Sequence, residues 1–515
     1  MSRHIFALLF ASLVLLAPRQ ASAFSLLGAR ASWMTDEVGL TPKYGAFVGG
    51  PMNLGEAYRF NMPVLTYAYD ASFLRFFGAG GVAAIESAMK VLNDLPAADS
   101  MSATLEEFPT VTLRHNATAS ALSIIDLKTT ALAFMVGQLG VAAPENFIWS
   151  IRGHYKDGDV DFFSVFNPNF DPVTLQQSSY INGFQFTYQI FQTADAEWKA
   201  VNLPVDPLAP AFTTVANFDQ SFGFAGRGAS LAFGFGSYFP ALTREDIAAF
   251  RYMLSTTNYA VEGLLPDVIA STGGAIGVSG GTSVGSGGIG GGSTGGFSGG
   301  FGEPWSPVFS VFAGGAGSAN PPWSTVTVST NVATNAVVVT QVTTGLPRVV
   351  NALRPGVGKY KFVQIGYDSI LGASTTPYLV TWLDRYVTNR TTRVQAVARQ
   401  VTVPDVLFSA GDLGVIDAIP VLVGVTVDGY INNSALNRVG GLQDDELAGP
   451  GIITSGKQIT FSKLGRYFIN IEETGEADGF LFNGWGSFDG STNAPVIYPN
   501  GASLKAIEKL VLGGR

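Results

Sequence analysis

FNMPVLTYAYDASFLRFFGAGGVAAIESAMKVLNDLP, residues 60–96, contains the clearest change of hydrophobic period in the chain. Its first part, Val64 to Tyr69, is short, apolar and aromatic and lies between a proline and an aspartate, which predicts an inner β-strand. From Gly80 to Pro96 the spacing becomes helical, with Val82, Ile85 and Met89 on one face. We therefore expect a buried strand followed by an amphipathic helix, and together they form the predicted folding core of an N-terminal domain.

The start of the chain has the features of an export signal. Two basic or ionisable residues precede an apolar run, Ile5 to Ala17, and Ala21-Ser22-Ala23 follows as a small-residue cleavage site. We predict a signal peptide at residues 1–23 and a mature protein in the extracellular space or cell envelope of a bacterium. Since no other long apolar run follows, no transmembrane segment is expected.

The composition narrows the class of protein. The chain has 515 residues, no cysteine, 13% charged residues and a formal net charge of -9. The absence of cysteine in an exported chain favours a bacterial protein that is stabilised by core burial. Because no basic cluster is present to neutralise phosphates, binding of nucleic acid is not expected.

A glycine-rich tract divides the sequence. Half of the residues from Ser271 to Gly302 are glycine and none is charged. Such a segment cannot bury enough apolar surface to fold alone, so we predict a flexible linker at 271–303. It would join an α+β N-terminal domain at 24–270 to a predominantly β, sandwich-like C-terminal domain at 304–515.

Other elements are predicted from pattern alone. Helical spacing predicts a second helix over Ala119 to Leu139, and FPTVTL, Phe108 to Leu113, predicts a strand. The aromatic, alternating residues from His154 to Ala241 favour antiparallel strands. LTREDIAAFRYML begins a helix at Thr243 with a capping box. Thr/Val alternation over Trp323 to Val342 predicts two adjoining strands.

Three segments together resemble matrixin-type, metzincin-like zinc peptidases. PVLTYAYDASFLRFFGAGGVAAIESAMKVLN is similar to the first strand and helix of that family, LTREDIAAFRYML to its last catalytic-domain helix, and TALAFMVGQLGV to its zinc-binding helix. The family has H-E-x-x-H in that helix, and this chain has Ala133, Phe134 and Gly137 at the corresponding positions. The resemblance therefore implies a degenerate zincin-like scaffold without zinc or peptidase activity; the alternative is an unrelated α+β domain.

The remaining motifs favour ordinary structural roles over chemistry. Asp157, Asp159 and Asp161 imitate the start of a calcium loop, but the expected glycine and glutamate are missing, so a polar hairpin turn is the main interpretation and a weak Ca²⁺ site the alternative. G-x-S-x-G matches between residues 277 and 300 lack the strand, helix and later histidine of a nucleophile elbow. His115 and His154 are interpreted as structural.

These observations predict no catalytic, cofactor-binding or metal residues apart from the weak calcium candidates. The leading hypothesis is an exported, non-catalytic structural or adhesive protein, a pseudoenzyme if the zincin-like resemblance holds. Its partner would be a protein or cell-surface polymer, with self-association included. The alternative is a secreted hydrolase that acts on polysaccharide with paired carboxylates. Exposed aromatic side chains on the strands from Phe162 to Phe191 would indicate a carbohydrate-binding platform rather than sheet packing.

Overall fold

The computed structural model describes residues 23–28, 33–40, 50–55, 59–192, 196–208, 214–216, 235–265, 267–270, 323–331, 336–345, 349–411, 414–416, 419–421, 431–432, 452–453, 457–463, 465–469 and 479–499. The predicted signal peptide lies almost wholly outside these ranges, as does the Gly-rich tract. Within the described ranges, no helix combines the length and the apolar character needed to cross a bilayer.

The fold is mixed α/β, with more strand than helix, and its strands form several sheets. The α-helices are α1 (Ala71–Asn93), α2 (Ala117–Ala121), α3 (Leu127–Gln138), α4 (Pro144–Phe147) and α5 (Arg244–Leu254), with 3-10 turns at Asp36–Val38 and Ala98–Ser100.

The strands before residue 271 are β1 (Phe24–Leu27), β2 (Pro51–Met52), β3 (Val64–Tyr69), β4 (Arg114–His115), β5 (Ile124–Asp126), β6 (Val141–Ala142), β7 (Ser150–Asp157), β8 (Val160–Phe166), β9 (Asn169–Phe170), β10 (Tyr180–Ile181), β11 (Phe184–Gln192), β12 (Trp198–Pro204), β13 (Ser237–Tyr238), β14 (Ala260–Gly263) and β15 (Val268–Ala270).

The strands after it are β16 (Trp323–Asn331), β17 (Ala336–Gly345), β18 (Asn351–Arg354), β19 (Lys361–Gln364), β20 (Tyr378–Thr388), β21 (Thr391–Val401), β22 (Val406–Gly411), β23 (Gly414–Ile416), β24 (Ile419–Val421), β25 (Ile431–Asn432), β26 (Ile452–Ile453), β27 (Lys457–Ser462), β28 (Gly465–Ile469), β29 (Gly479–Ser487) and β30 (Val496–Ile497).

The central sheet is built around β3. Its order is β19-β3-β22-β27 and every pair in it is parallel. Helix α1 begins directly after β3, with Asp70 as its N-cap, and packs Phe73 and Phe77 against Phe408 and Phe461 of the sheet. All four residues are 0% exposed, so each contributes roughly 1.5–3 kcal/mol of burial free energy.

A second sheet has five strands in the order β14-β18-β20-β21-β15, all antiparallel. Its inner face contributes Val380, Trp382 and Val397 to the same hydrophobic core as the central sheet. The two sheets are also joined by ion pairs. Arg399 of β21 bonds Asp405, whose Oδ2 accepts from the backbone N and the hydroxyl of Thr66 in β3.

Strands from the two sides of the Gly-rich tract pair within the same sheets. β19 and β22, which follow residue 303, pair with β3, and β18 and β21 pair with β14 and β15. A sandwich-like C-terminal domain is not confirmed, since the described strands after residue 303 are distributed over several sheets. Glycine-rich composition predicts that a segment lacks its own core, but it does not predict where the flanking strands pair.

Candidate interaction site on an aromatic hairpin

A two-stranded hairpin, β7 and β8, carries the most exposed aromatic pair among the described residues. Its strands are antiparallel and pair Asp157 with Val160 across a two-residue loop. The first loop residue is Gly158, whose φ of 61° suits the left-handed position of a hairpin turn. The sequence expectation of antiparallel strands and a polar turn in this region is confirmed.

The alternation of side chains gives the hairpin two different faces. Tyr155 lies opposite Phe162 and points to one side, whereas His154 lies opposite Phe163 and points to the other. We call the side with Tyr155 and Phe162 the outer face and the side with His154 and Phe163 the inner face.

The inner face is packed against β12. The ring of His154 stacks on Phe163 at a centroid distance of 4.9 Å, and both rings contact Trp198, at 5.3 and 4.9 Å. These contacts hold the hairpin by one side, so the outer face is directed away from the packed side.

Two carboxylates fix the orientation of the His154 ring. Its Nδ1 lies 2.6 Å from Glu37 Oε1 and its Nε2 lies 2.7 Å from Asp161 Oδ1. The hydrogen bonds to Glu37 and then to Asp161 raise the pKa of His154 above its usual value, against the opposing effect of desolvation. When it is protonated, the imidazole donates to both carboxylates and joins the hairpin to the 3-10 turn that contains Glu37.

A bulge near the base of the hairpin adds a second anchor. The pairing register shifts between Ile151 and Gly153. Arg152, between them, places its guanidinium carbon 5.5 Å from the ring centre of Trp33 and 6.0 Å from that of Phe166. These are cation–π distances, and the two rings also meet edge to face at 5.3 Å.

The outer face presents its aromatic side chains to solvent. Tyr155 is 63% exposed and Phe162 40%, and Val160 on the same face is 57% exposed. The rings of Tyr155 and Phe162 are nearly parallel, 7° apart, with centroids 4.9 Å from each other. Asp157 and Asp159 at the hairpin end are exposed as well, so polar groups border the aromatic pair.

The neighbouring sheet also carries exposed aromatic and aliphatic side chains. Tyr188 and Phe191 of β11 are 38% and 37% exposed, and Leu203 of β12 is 38% exposed. The ring of Tyr188 also packs on the ring of Trp149, the residue before β7, at a centroid distance of 5.1 Å. Exposed aromatics between Phe162 and Phe191 are the feature that the sequence analysis associated with a platform rather than with internal packing.

The three calcium candidates occupy different places on the hairpin. Asp157 ends β7, Asp159 lies in the turn, and Asp161 is on β8 with its Oδ1 engaged by His154. In the part of the chain that the structure describes, no group of three or more His, Cys, Asp or Glu side chains is arranged to hold a metal ion. Weak binding of Ca²⁺ at these residues stays a prediction.

The positions that correspond to zinc ligands lie inside the protein. Ala133, Phe134 and Gly137 are all on α3 and are buried. His115 is exposed on β4, where it pairs with Ser237 of β13. The structure therefore does not bring the two remaining histidines of the predicted mature chain to α3.

Two buried carboxylates have strongly shifted pKa values but act as helix caps. Burial raises the pKa of Asp126 and of Asp246 to about 6 each, although hydrogen bonds from Thr129 and Thr243 oppose the shift. Asp126 is the N-cap of α3, and Asp246 completes the capping box of α5. Both side chains are almost fully enclosed by protein, which is unlike a hydrolase pair facing a substrate cleft.

The G-x-S-x-G matches lie outside the described residues. Comparison with protein-family models, curated proteins and solved structures finds no match to the chain. The sequence did not single out Tyr155 or its pairing with Phe162. The available signal was their symmetrical placement about Gly158-Asp159, which puts them opposite each other once the two-residue turn is recognised.

Proposed function

We propose that this protein is an exported, non-catalytic adhesive protein that contacts an extracellular polysaccharide through the outer face of the β7–β8 hairpin. The observation that carries the proposal is the exposed, stacked pair Tyr155 and Phe162. Large aromatic side chains are normally buried, and an exposed cluster with polar groups at its border is typical of a binding surface.

The chemistry of the outer face fits a sugar polymer. Aromatic rings pack against the C–H faces of sugar rings, while carboxylates such as Asp157 and Asp159 accept hydrogen bonds from sugar hydroxyls. The inner-face contacts of His154 and Trp198 hold the hairpin in place, so little side-chain ordering is required on binding.

The test is co-sedimentation of the mature protein with insoluble cellulose, chitin and bacterial cell-wall peptidoglycan. We expect binding to at least one of these polymers and roughly a tenfold or larger loss of affinity for the double variant Tyr155→Ala/Phe162→Ala, since each ring contact contributes about 0.5–1.5 kcal/mol.

Tyr259→Ala is the matched control, because Tyr259 is 45% exposed and lies outside the hairpin. This variant should bind like the unchanged protein. Equal binding by all three proteins, or binding to none of the polymers, would refute the proposed contact. Release of reducing sugar during the incubation would instead support the carboxylate hydrolase.

A further inference from the structure

The outer side of the five-stranded sheet is a second exposed surface, distinct from the hairpin. The pairing register places Val261 opposite Leu353 and Leu353 opposite Val387. On the two longest strands it places Leu383 opposite Ala396 and Arg385 opposite Val394. All these residues share one face, because the intervening residues Glu262, Asp384 and Arg399 point into the core.

This face, which we call the open sheet face, is apolar and exposed at several positions. The exposed fractions are 54% for Leu379, 43% for Leu383, 53% for Val394, 38% for Val261 and 36% for Leu353. In an antiparallel sheet, one face normally packs on the core and the other carries polar residues to solvent. Here both faces carry large aliphatic side chains.

Charge is nearly absent from the open sheet face. Among its paired outward positions in β14, β18, β20 and β21, Arg385 is the charged residue. The protein as a whole has a net charge of -9, so a face with a single cation differs from the average surface. Depletion of charge at the centre of a patch is the compositional mark of an interface core.

The dimensions of the face agree with what a second copy needs. β20 and β21 each have 11 residues, which is a length of about 37 Å at 3.4 Å per residue. With the three shorter strands at about 4.8 Å spacing, the face covers roughly 500 Å² in projection, before the relief of its side chains is counted. That is about the lower limit per partner for a stable interface.

We propose that two copies of this chain associate through their open sheet faces, packed sheet on sheet. Leu383 and Ala396 are the central residues of β20 and β21 and lie opposite each other. A two-fold axis at this pair places the aliphatic residues of each copy against those of the other, with each Arg385 two residues along β20 from the central Leu383. The association uses a surface separate from Tyr155 and Phe162, so it does not depend on the function proposed for them.

Sedimentation-equilibrium centrifugation of the mature protein tests the proposal. We expect a dimer at micromolar concentration. Leu383→Asp should raise the dissociation constant of the dimer by roughly 100-fold or more, because it buries a charge at the centre of the interface. Ile370→Asp is the control, since Ile370 is 95% exposed and lies in the loop before β20, outside the paired strands of this face. It should leave the dimer unchanged.

Because the chain contains no cysteine, a single introduced cysteine allows a second measurement by cross-linking. A single Leu383→Cys substitution should give a disulfide-linked dimer on mild oxidation, whereas Ile370→Cys should not. The proposal would be overturned if the unchanged protein were monomeric both at high concentration and after 100-fold dilution. A dimer that persists in Leu383→Asp with no Leu383→Cys cross-link would also overturn it. If the Tyr155→Ala/Phe162→Ala variant loses polysaccharide binding but still forms the dimer, that result bears on the hairpin and not on the dimer.

Discussion

At the residue scale, the buried Arg399 shows how charge is accommodated between the two sheets. Its Nε bonds Asp267 at 2.5 Å and its Nη1 bonds Asp405 at 2.7 Å. Asp405 is almost fully buried and also accepts two hydrogen bonds from Thr66, whereas the side chain of Asp267 is 26% exposed. The two carboxylates therefore contribute unequally to stability.

Asp405→Ala should lower the free energy of unfolding by about 3–5 kcal/mol, because it removes the buried carboxylate partner of Arg399 and the acceptor for the buried backbone N–H of Thr66. Urea unfolding followed by circular dichroism measures the change. Asp267→Ala removes the other partner of the same arginine and should cost about 1 kcal/mol, since water reaches that carboxylate. Equal losses for the two variants would contradict the assigned burial.

His154 makes the attachment of the hairpin sensitive to pH. Its folded-state pKa is raised above the unfolded value by Glu37 and Asp161. The stabilisation is therefore fully present below the unfolded pKa of about 6.5 and is lost as pH rises through the higher folded value.

Comparison of Tm for the unchanged protein and His154→Gln across this range checks the sign. The unchanged protein should be the more stable one near neutral pH and below, until the carboxylates protonate, and the difference should shrink at alkaline pH. His115→Gln, at an exposed histidine on β4, serves as the control. A difference that grows with rising pH would mean that the imidazole is held neutral.

At the scale of elements, α1 shows both what pattern predicts and what it misses. The strand before it was predicted with the bounds observed for β3, Val64–Tyr69, and the stripe of Ile85 and Met89 is buried as expected. The helix begins earlier than predicted, however, at Ala71. It is kinked at Gly78, with φ 57° and ψ -158°, and a conformation that depends on glycine has no hydrophobic period to reveal it.

Gly78→Ala should lower the free energy of unfolding by about 1–3 kcal/mol, because an L-residue is strained at this φ and ψ. A Cβ at Gly78 would meet no atom within 4 Å, so the loss reports backbone strain alone. Gly366→Ala is the matched control, since its Cβ also enters open space and its φ is not in the left-handed range. Its effect should be within about 0.5 kcal/mol, and urea unfolding compares the two.

The predicted helix over Ala119 to Leu139 is divided in the structure. Ser123 has a φ of 52°, and the next three residues form β5, which pairs in parallel with β29. The apolar residues of β5 are compatible with either a buried helix or a buried strand, and only a partner about 360 residues away decides between them. The predicted strand at Phe108–Leu113 is not formed, because that segment has irregular backbone with bends at Phe108 and Thr110. In contrast, the capping box at Thr243 and the strands around residues 331–335 depend on local chemistry and were predicted correctly.

At the scale of the whole molecule, the two halves of the chain are joined by shared sheets. Local pattern located many of the strands but not their neighbours, because parallel pairing requires partners that are distant in sequence. β3 lies between strands that begin about 300 and 340 residues after it. For the same reason, the aromatic hairpin could be anticipated from alternation and turn chemistry, whereas its exposed outer face required the packing of β12 and the 3-10 turn.

Joint folding of the two halves is the claim on which the other structural statements depend, and cleavage of the chain tests it most directly. A protease site inserted in the Gly-rich residues 285–291 would be cut, and the product analysed by size-exclusion chromatography with light scattering. We predict that the two fragments elute together, with the molar mass of the uncut protein, and separate only in denaturant, because β3, β14 and β15 have their partners in the other fragment. Fragments that separate under native conditions, each with its secondary structure intact, would contradict the shared-sheet architecture.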